Sequence, residues 1–357
     1  MSSTNMRWMG RELDTRYLIG KRLGEGGMAV VHRARDRRLG REVAVKIMRT
    51  DVGFGDEYGE RLYREARGLA RLTHPHIVSI HDVGYVEGVI YLVMELLEGN
   101  DLIDVITERG HLGMALTLQI GSQVAAALAA AHQIGIIHRD IKPDNVFLVQ
   151  AVTGAYTKLL DFSFASLPTE MGGGKLTEER IAYGTAHYMS PEQARAQDCT
   201  PLSDVYGLGV LLFELIAGQL PYDGSVAEVL ESHRIAPVPR LVEYVDTLPM
   251  GLSDLIEQMM QKDPNRRPHS ALQVAQQLSA IRESWLAELG RAAVNQARGG
   301  AVGHGAGRHV KELYDDEAYT SGETVEIRYD SDWFKRDDQG NPVSFTDTAQ
   351  VKRPDFE

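Results

Sequence analysis

The chain has 357 residues, of which 43% are hydrophobic, 25% are charged and one is cysteine, and its formal net charge is −12. This composition excludes a fibrous or wholly disordered chain, the lone Cys199 excludes an internal disulfide, and the acidic balance argues against a nucleic-acid-binding protein. Residues 1–10 lack an apolar segment and no 18-residue apolar run follows, so neither a signal peptide nor a membrane span is predicted and we expect a cytoplasmic protein.

Short alternating segments follow a polar leader, residues 1–16, and extend to about residue 95. The period-2 pattern predicts five strands, at residues 17–23, 30–35, 41–48, 77–83 and 89–94. A helix is predicted at residues 56–72, where Tyr58, Leu62, Leu69 and Leu72 recur at helical spacing. We therefore expect a small sheet with one helix in this region.

Helical patterns dominate residues 96–285, with helices predicted at 117–133, 203–217, 254–262 and 270–286. Five glycines between residues 298 and 308 predict a flexible linker, taken as residues 286–311. Residues 312–357 contain 13 Asp/Glu and 5 Lys/Arg, a net charge of −8, and we expect them to form a disordered acidic tail.

A glycine-rich segment, residues 24–31, lies between the first two predicted strands. Closely spaced glycines let backbone N–H groups approach phosphate oxygens, although a Gly-rich hairpin turn is the simpler explanation. No Gly-Lys-Ser/Thr follows, which excludes a Walker loop. A strand rather than a helix follows at Val30, which argues against a Rossmann turn.

Lys46 lies within the third predicted strand, on the same face as Ala44. If both faces of the sheet are covered, the lysine needs an anionic partner, whereas on an edge it would lie in solvent. Glu65 occupies a gap in the apolar stripe of the predicted helix, where a carboxylate is costly unless it is paired. We expect Glu65 to pair with Lys46, unless it escapes to solvent at the edge of the stripe.

Two further segments carry polar side chains that suit phosphate chemistry. Residues 138–145, His-Arg-Asp-Ile-Lys-Pro-Asp-Asn, form a predicted loop whose carboxylates, lysine and amide suit a base, a charge stabiliser and a metal ligand. Asp161 ends the apolar run 159–160, where a carboxylate can hold Mg²⁺ or simply terminate a strand.

In this order and spacing the segments resemble the protein kinases, and the resemblance covers residues 17–285. It implies an α+β, two-lobed fold, with an N-lobe of antiparallel sheet plus one helix at 17–95 and a larger, mostly helical C-lobe at 96–285. The cofactors implied are ATP and Mg²⁺, with Mn²⁺ as an alternative metal.

The resemblance assigns roles to individual residues. Asp140 matches the catalytic base, Lys142 the lysine near the transferred phosphate, and Lys46 with Glu65 the conserved pair of the N-lobe. Asn145 and Asp161 match the Mg²⁺ ligands. The nucleotide-binding residues implied are Leu23, Gly24, Gly26, Val31, Ala44, Lys46, Met94, Glu95, Leu97 and Leu148. Structural roles are implied for Asp204, which braces the catalytic loop, and for Arg267, which pairs with Glu192.

Lys142, together with Gly184 and Thr185, resembles the Ser/Thr branch, and the glycine-rich loop resembles that of bacterial eukaryotic-like (Hanks-type) kinases. The implied function is a Ser/Thr protein kinase of bacterial signal transduction that autophosphorylates its activation segment and acts on protein substrates. Two departures stand out: Ala29 replaces the last loop glycine and Ser163 replaces the glycine after Asp161-Phe162. Ser163 supports an alternative, a pseudokinase scaffold, and a small-molecule phosphotransferase is a further alternative.

Two regulatory features are expected. Arg139 precedes Asp140, an arrangement typical of kinases whose activation segment is ordered by a phosphate, and Thr177 is the best-placed acceptor, ahead of Thr169 and Ser166. A threonine without a role is the simpler interpretation. The acidic tail is a candidate for docking a partner or the basic N-lobe.

Overall fold

A computed structural model of the chain describes residues 8–26, 29–48, 68–86, 88–109, 112–150, 154–162 and 183–298. Its first part is a six-stranded antiparallel sheet in the order β1-β2-β3-β4-β6-β5. The strands are β1 Glu12–Leu13, β2 Tyr17–Glu25, β3 Ala29–Asp36, β4 Arg41–Met48, β5 Ile80–Val86 and β6 Val89–Glu95. The five strands predicted from the alternating pattern correspond to β2 to β6.

The two faces of this sheet carry separate apolar clusters, as the alternation in β4 predicts. Val43, Val45 and Ile47 belong to a cluster on one face, and Ala44 belongs to the cluster on the other. The side chain of Lys46 lies on the second face and is 12% exposed. The lysine is therefore directed into a mostly covered space rather than into bulk water.

Residues 8–16, predicted as part of a polar leader, are packed onto the sheet. Trp8 and Leu13 are buried in the same cluster as Val43, and β1 pairs with β2. Arg16 donates hydrogen bonds to both carboxylate oxygens of Asp36, at 3.0 and 2.8 Å. Period-2 reasoning missed this segment because Trp8 and Leu13 are five positions apart and its strand, β1, has only two residues.

The second part of the fold is mostly helical and carries a small antiparallel sheet, β7-β8-β9. Its strands are β7 Gly99–Asp101, β8 Val146–Val149 and β9 Tyr156–Leu159. The helices described are α1 Leu102–Arg109, α2 Met114–Gln133, α3 Tyr183–Ala186, α4 Pro191–Ala194, α5 Pro201–Ala217, α6 Val226–Ile235, α7 Leu252–Met259 and α8 Ala271–Arg298.

Helix α2 is the central helix of this lobe and packs against α5 and α8. Among the described helices it alone is long and apolar enough to cross a membrane. Half of its twenty residues are buried within the lobe, including Leu118, Val124 and Leu128, which are fully covered. Its apolar character is explained by its place in the core of the lobe.

Several of the described helices differ from the prediction. Helix α8 continues to Arg298, so residues 286–298 of the predicted linker are helical, consistent with their Ala, Leu, Glu and Arg content. Helices α1, α3, α4 and α6 were not predicted. Helix α6 begins with a capping box between Ser225 and Glu228, a sequence signal that was available. Most of the predicted helix 56–72 lies outside the described residues; Leu69 and Leu72, at its end, are buried.

Candidate active site

Asp140, Lys142 and Asn145 converge on one loop between α2 and β8, as the sequence predicts. The ammonium of Lys142 lies 3.0 Å from Oδ2 of Asp140, and the amide nitrogen of Asn145 donates to the same oxygen at 3.0 Å and to the Asp140 carbonyl at 2.7 Å. Lys142 also donates to the hydroxyl of Thr185, at 2.9 Å. The Asp140 carboxylate is therefore held by two donors, one of which also holds Thr185.

The loop has an unusual backbone that a distant carboxylate stabilises. Arg139 has a φ of 68°, a conformation that costs a non-glycine residue about 1–3 kcal/mol. Asp204, near the start of α5, accepts hydrogen bonds from the backbone N–H groups of His138 at 2.8 Å and Arg139 at 2.7 Å. His132 lies 2.8 Å from the same carboxylate. Asp204 thus braces the loop, as the resemblance implies.

His138 connects this loop to the segment that carries Asp161. The ring is fully buried, and its Nε2 lies 2.7 Å from the carbonyl oxygen of Leu160. Because a carbonyl only accepts, Nε2 carries the proton, and Nδ1 is left to accept the Asp140 N–H at 3.3 Å. A single neutral tautomer therefore ties the backbone of Asp140 to that of Leu160, and the Phe162 ring packs on it with centroids 4.7 Å apart.

Lys46 reaches across to this segment, where its ammonium lies 2.6 Å from Oδ1 of Asp161. Asp161 has a φ of 44° and its side chain is 42% exposed. The expected partner, Glu65, lies outside the described residues, as does Ser163. The ion pair joins the N-lobe lysine to the segment that His138 connects to the Asp140 loop.

Four of the predicted nucleotide-binding residues pack together on the face of the sheet that carries Lys46. Val31, Ala44, Met94 and Leu97 belong to one apolar cluster. The remaining residues are distributed around it: Leu148 packs in the neighbouring C-lobe core, and Leu23 is 46% exposed at the start of the glycine-rich loop.

Gly24 and Gly26 are not explained by packing within the described part of the protein. A Cβ added to Gly24 would meet no atom within 4 Å, and one added to Gly26 would meet only the Ala29 carbonyl, at 3.9 Å. Neither has a positive φ that would require glycine. Glycine at these positions is instead suited to a ligand that approaches the backbone closely, as phosphate does.

The donor set around Asp161 fits a hard cation bound together with phosphate. Among the described residues no three His, Cys, Asp or Glu side chains are grouped to hold a metal, but Mg²⁺ commonly takes one or two protein oxygens and keeps phosphate oxygens as ligands. Asn145 uses its amide nitrogen in the loop, which leaves its amide oxygen for a cation. Burial, with smaller contributions from the charges of Asp104, Asp144 and Asp161, raises the pKa of Asp101 to about 6.

Glu95, expected at the nucleotide-binding hinge, uses its side chain in a structural contact that the sequence reasoning missed. Oε1 of Glu95 accepts from the ammonium of Lys158 at 2.6 Å and from the backbone N–H of Ser79 at 2.7 Å. Lys158, which is 8% exposed, also donates to the Ile77 carbonyl at 3.1 Å. Oε1 of Glu95 is therefore committed to this contact, and the backbone N–H of Glu95 donates to the Ser79 carbonyl at 3.0 Å. A lysine within the apolar strand β9 was the available sequence signal.

Replacing Lys158 by Met is expected to destabilise the protein by about 2–3 kcal/mol at pH 7, because the partly buried Glu95 carboxylate loses its cation. Burial alone would raise the pKa of Glu95. The hydrogen bonds from Lys158 and the Ser79 amide, together with the Lys158 charge, outweigh burial, so the pKa of Glu95 is lowered overall. The stabilisation is therefore present above the unfolded pKa of about 4.5 and is lost as the pH falls.

Urea unfolding of wild type and Lys158→Met at pH 7 and pH 4 measures this effect. The two stabilities should differ at pH 7, and the difference should be smaller at pH 4. In a Glu95→Gln background the same substitution should cost less, as a double-mutant cycle would record. An equal loss at both pH values would contradict the ion-pair explanation.

The sequence that carries this arrangement is similar to those of known proteins. The family described as the protein kinase domain matches residues 17–279. The chain is 39% identical over 264 residues to the serine/threonine-protein kinase PrkC of Bacillus subtilis, covering 74% of this chain and 40% of PrkC. It is 35% identical over 272 residues to the serine/threonine-protein kinase PknL of Mycobacterium tuberculosis, covering 76% of this chain and 67% of PknL.

The fold is also similar to that of a solved kinase domain. The crystal structure of the Mycobacterium tuberculosis PknI kinase domain superposes with a TM-score of 0.60 at 25% identity, covering 79% of this chain and 100% of that domain. The chain spans about two fifths of the length of PrkC and of a probable serine/threonine-protein kinase of Clostridium perfringens. The shared region is therefore the two-lobed unit that contains the Asp140 loop.

Proposed function

The chain belongs to the protein kinase family, and from this premise we propose that it transfers the γ-phosphoryl group of ATP to Ser or Thr hydroxyls of proteins. The observation that carries the proposal is the convergence of Asp140, Lys142 and Asn145 on one loop, with Asp161 and Lys46 paired beside it. These groups suit a reaction in which positioning and electrostatic stabilisation supply most of the rate enhancement.

Each residue of the loop has a chemical task in this proposal. Oδ2 of Asp140 is fixed by Lys142 and Asn145, so its other oxygen, Oδ1, orients the attacking hydroxyl and takes its proton. Lys142 lies between Asp140 and Thr185, where its charge meets the charge that develops on the transferred group. Lys46 and the glycine-rich backbone hold the nucleotide phosphates. When bound, Mg²⁺ at Asn145 and Asp161 supplies neutralisation of the phosphate charge.

The choice of Ser and Thr as acceptors rests on Lys142 and Thr185. Their 2.9 Å hydrogen bond joins the catalytic loop to the segment before α4, and both residues resemble the Ser/Thr branch of the family. The named kinases PrkC and PknL are described as serine/threonine-protein kinases, which supports the same class.

The function is tested by incubating the purified full chain with γ-labelled ATP, Mg²⁺ or Mn²⁺ and a generic protein substrate, beside an Asp140→Asn variant. Label on serine or threonine of the substrate with wild type alone is the expected result. Binding of ATP without transfer would support the pseudokinase alternative and overturn the enzyme proposal. Transfer to small molecules in preference to protein would favour the phosphotransferase alternative.

We expect the Thr177→Ala variant to lose autophosphorylation of the activation segment and to have lower activity toward protein substrates. A phosphate on Thr177 is proposed to pair with Arg139, which adjoins the catalytic base, and so to couple a signalling input to activity. Thr177 itself lies outside the described residues. Mass-spectrometric mapping and initial rates check this, with Thr169→Ala as the matched control. Unchanged autophosphorylation and activity in Thr177→Ala would refute it.

We expect removal of residues 312–357 to change activity at low salt and to have little effect at high salt. The tail has a net charge of −8, whereas residues 1–95 contain 16 Lys/Arg and 13 Asp/Glu, a net of +3. We propose that the tail contacts the basic N-lobe or a partner, and such contact is screened beyond about 8 Å at physiological ionic strength. Initial rates of both chains across a salt series measure this. A salt-independent difference would argue for a non-electrostatic role.

A further inference from the structure

A buried polar cluster in the C-lobe is not used by the proposed chemistry. It contains Tyr206 of α5, His233 of α6, Tyr222, and Lys262, which follows α7. The rings of Tyr206 and His233 are fully covered. The ammonium of Lys262 donates to the hydroxyls of Tyr206 at 3.2 Å and Tyr222 at 2.9 Å and to the Ser232 carbonyl at 3.2 Å.

One end of this cluster contacts the backbone of the segment that precedes α4. Nε2 of His233 lies 2.9 Å from the carbonyl oxygen of His187. That carbonyl is two residues after Thr185, whose hydroxyl is bound to Lys142 beside Asp140. The cluster is therefore connected, through a few residues of backbone, to the side chains that the reaction requires.

The contacts of His233 are satisfied by only one assignment of hydrogen-bond donors and acceptors. The His187 carbonyl only accepts, so Nε2 of His233 carries a proton. Burial, with the nearby charge of Lys262, lowers the pKa of His233 to about 3, so the ring is neutral at pH 7 and its Nδ1 is an acceptor. The hydroxyl of Tyr206, 2.8 Å from Nδ1, must then be the donor. Tyr206 therefore selects the tautomer in which His233 holds the His187 carbonyl.

We propose that His233, oriented by Tyr206, is a positioning residue that holds the backbone at His187 and thereby places Thr185 and Lys142 for the protein substrate. This inference rests on the proposed function and adds to it a determinant of protein-substrate binding. Lys262, unlike Tyr206, does not contact the His233 ring through a hydrogen bond. Its hydrogen bond ends on the Tyr206 oxygen, so its removal leaves the contacts from Tyr206 to His233 and from His233 to His187 intact.

A simpler explanation is that the cluster only satisfies polar groups buried in the lobe. In that case any variant that weakens the cluster would lower stability, and substrate binding would follow the fraction of folded protein. A positioning role would instead raise KM for the protein substrate while KM for ATP is retained. The two explanations therefore differ in which kinetic constant changes and in which variants change it.

The test uses the full chain and compares Tyr206→Phe with Lys262→Met. Phe keeps the ring and removes the hydroxyl that selects the His233 tautomer. We expect KM for the protein substrate to rise about tenfold, the equivalent of one buried hydrogen bond, with KM for ATP within about twofold of wild type. Lys262→Met should leave KM for the protein substrate unchanged, whatever its effect on the urea midpoint.

A second pair of variants keeps the test decisive if Tyr206→Phe does not fold. His233→Gln retains an N–H that can reach the His187 carbonyl, whereas His233→Leu does not, so KM for the protein substrate should rise more in the Leu variant. Equal KM values in all folded variants would overturn the positioning role and leave the proposed function standing. Absence of transfer by the wild type, measured in the same assay, would instead overturn both.

Discussion

Replacing Asp140 by Asn is expected to slow phosphoryl transfer by about 10²–10⁴-fold, the contribution typical of a positioned general base. The amide retains the size of the side chain and one oxygen that can accept from Lys142 and Asn145, which lie at 3.0 Å in the wild type. It cannot take a proton from the attacking hydroxyl. Binding of ATP should be close to wild type, because within the described part of the chain the Asp140 carboxylate bonds to Lys142 and Asn145 and to none of the predicted nucleotide-binding residues.

Single-turnover transfer of labelled phosphate measures the rate, and titration with a fluorescent nucleotide measures binding. Asp144→Asn is the matched control, since Asp144 is an exposed carboxylate in the same loop, only four residues away. The control should retain a rate near that of wild type. A wild-type rate in Asp140→Asn would remove the general base from the mechanism.

The largest effect on stability is expected from Arg267→Met, at about 3–5 kcal/mol, because it leaves a buried carboxylate without its cation. The Arg267 side chain is fully buried and forms a bidentate pair with Glu192, at 2.8 and 2.9 Å. It also donates to the carbonyls of Gln261, Leu202 and Lys262. One side chain thereby joins the start of α5, the end of α7 and the helix α4 that follows the Thr185 segment.

Urea unfolding at pH 7 measures this loss, and an exposed ion pair provides the control. Arg240 lies 3.2 Å from both Asp254 and Glu257, with side chains 51%, 77% and 35% exposed, so Arg240→Met should cost less than about 1 kcal/mol. Burial alone would raise the pKa of Glu192, but the hydrogen bonds from Arg267 and Ser203 and the Arg267 charge outweigh burial, so the pKa is lowered overall. The contribution of the buried pair is therefore present above the unfolded pKa of about 4.5 and declines as the pH falls. Similar losses in both variants would show that burial does not decide the effect.

The features predicted from the sequence are those that local pattern encodes. The alternation in β4 put Lys46 on the same face as Ala44 but left open whether that face is covered; the apolar cluster around Ala44 covers it. The composition of residues 138–145 was sufficient to identify a loop in which Asp140, Lys142 and Asn145 lie together. Each of these inferences needed only neighbouring residues, for which side-chain direction follows from strand or loop geometry.

The features that were missed depend on residues distant in sequence. Lys158 and Glu95 are 63 positions apart, and no local pattern indicates that they meet. The positive φ of Arg139 is supported by Asp204, 65 positions away, and was not apparent from the residue type. The tautomers of His138 and His233 follow from which carbonyl each ring contacts, which only the folded chain determines.

The packing of residues 8–16 limits how far the N-terminus of this chain can be shortened. The kinase family match begins at residue 17, yet Trp8 and Leu13 cover the outer face of the sheet. A chain shortened to the family boundary would expose Tyr17, Val45 and Tyr91 to water, and a contiguous apolar surface of this kind promotes self-association. The boundary of the family match therefore lies inside the folding unit, and we expect the solubility of a shortened chain to depend on whether residues 8–16 are kept.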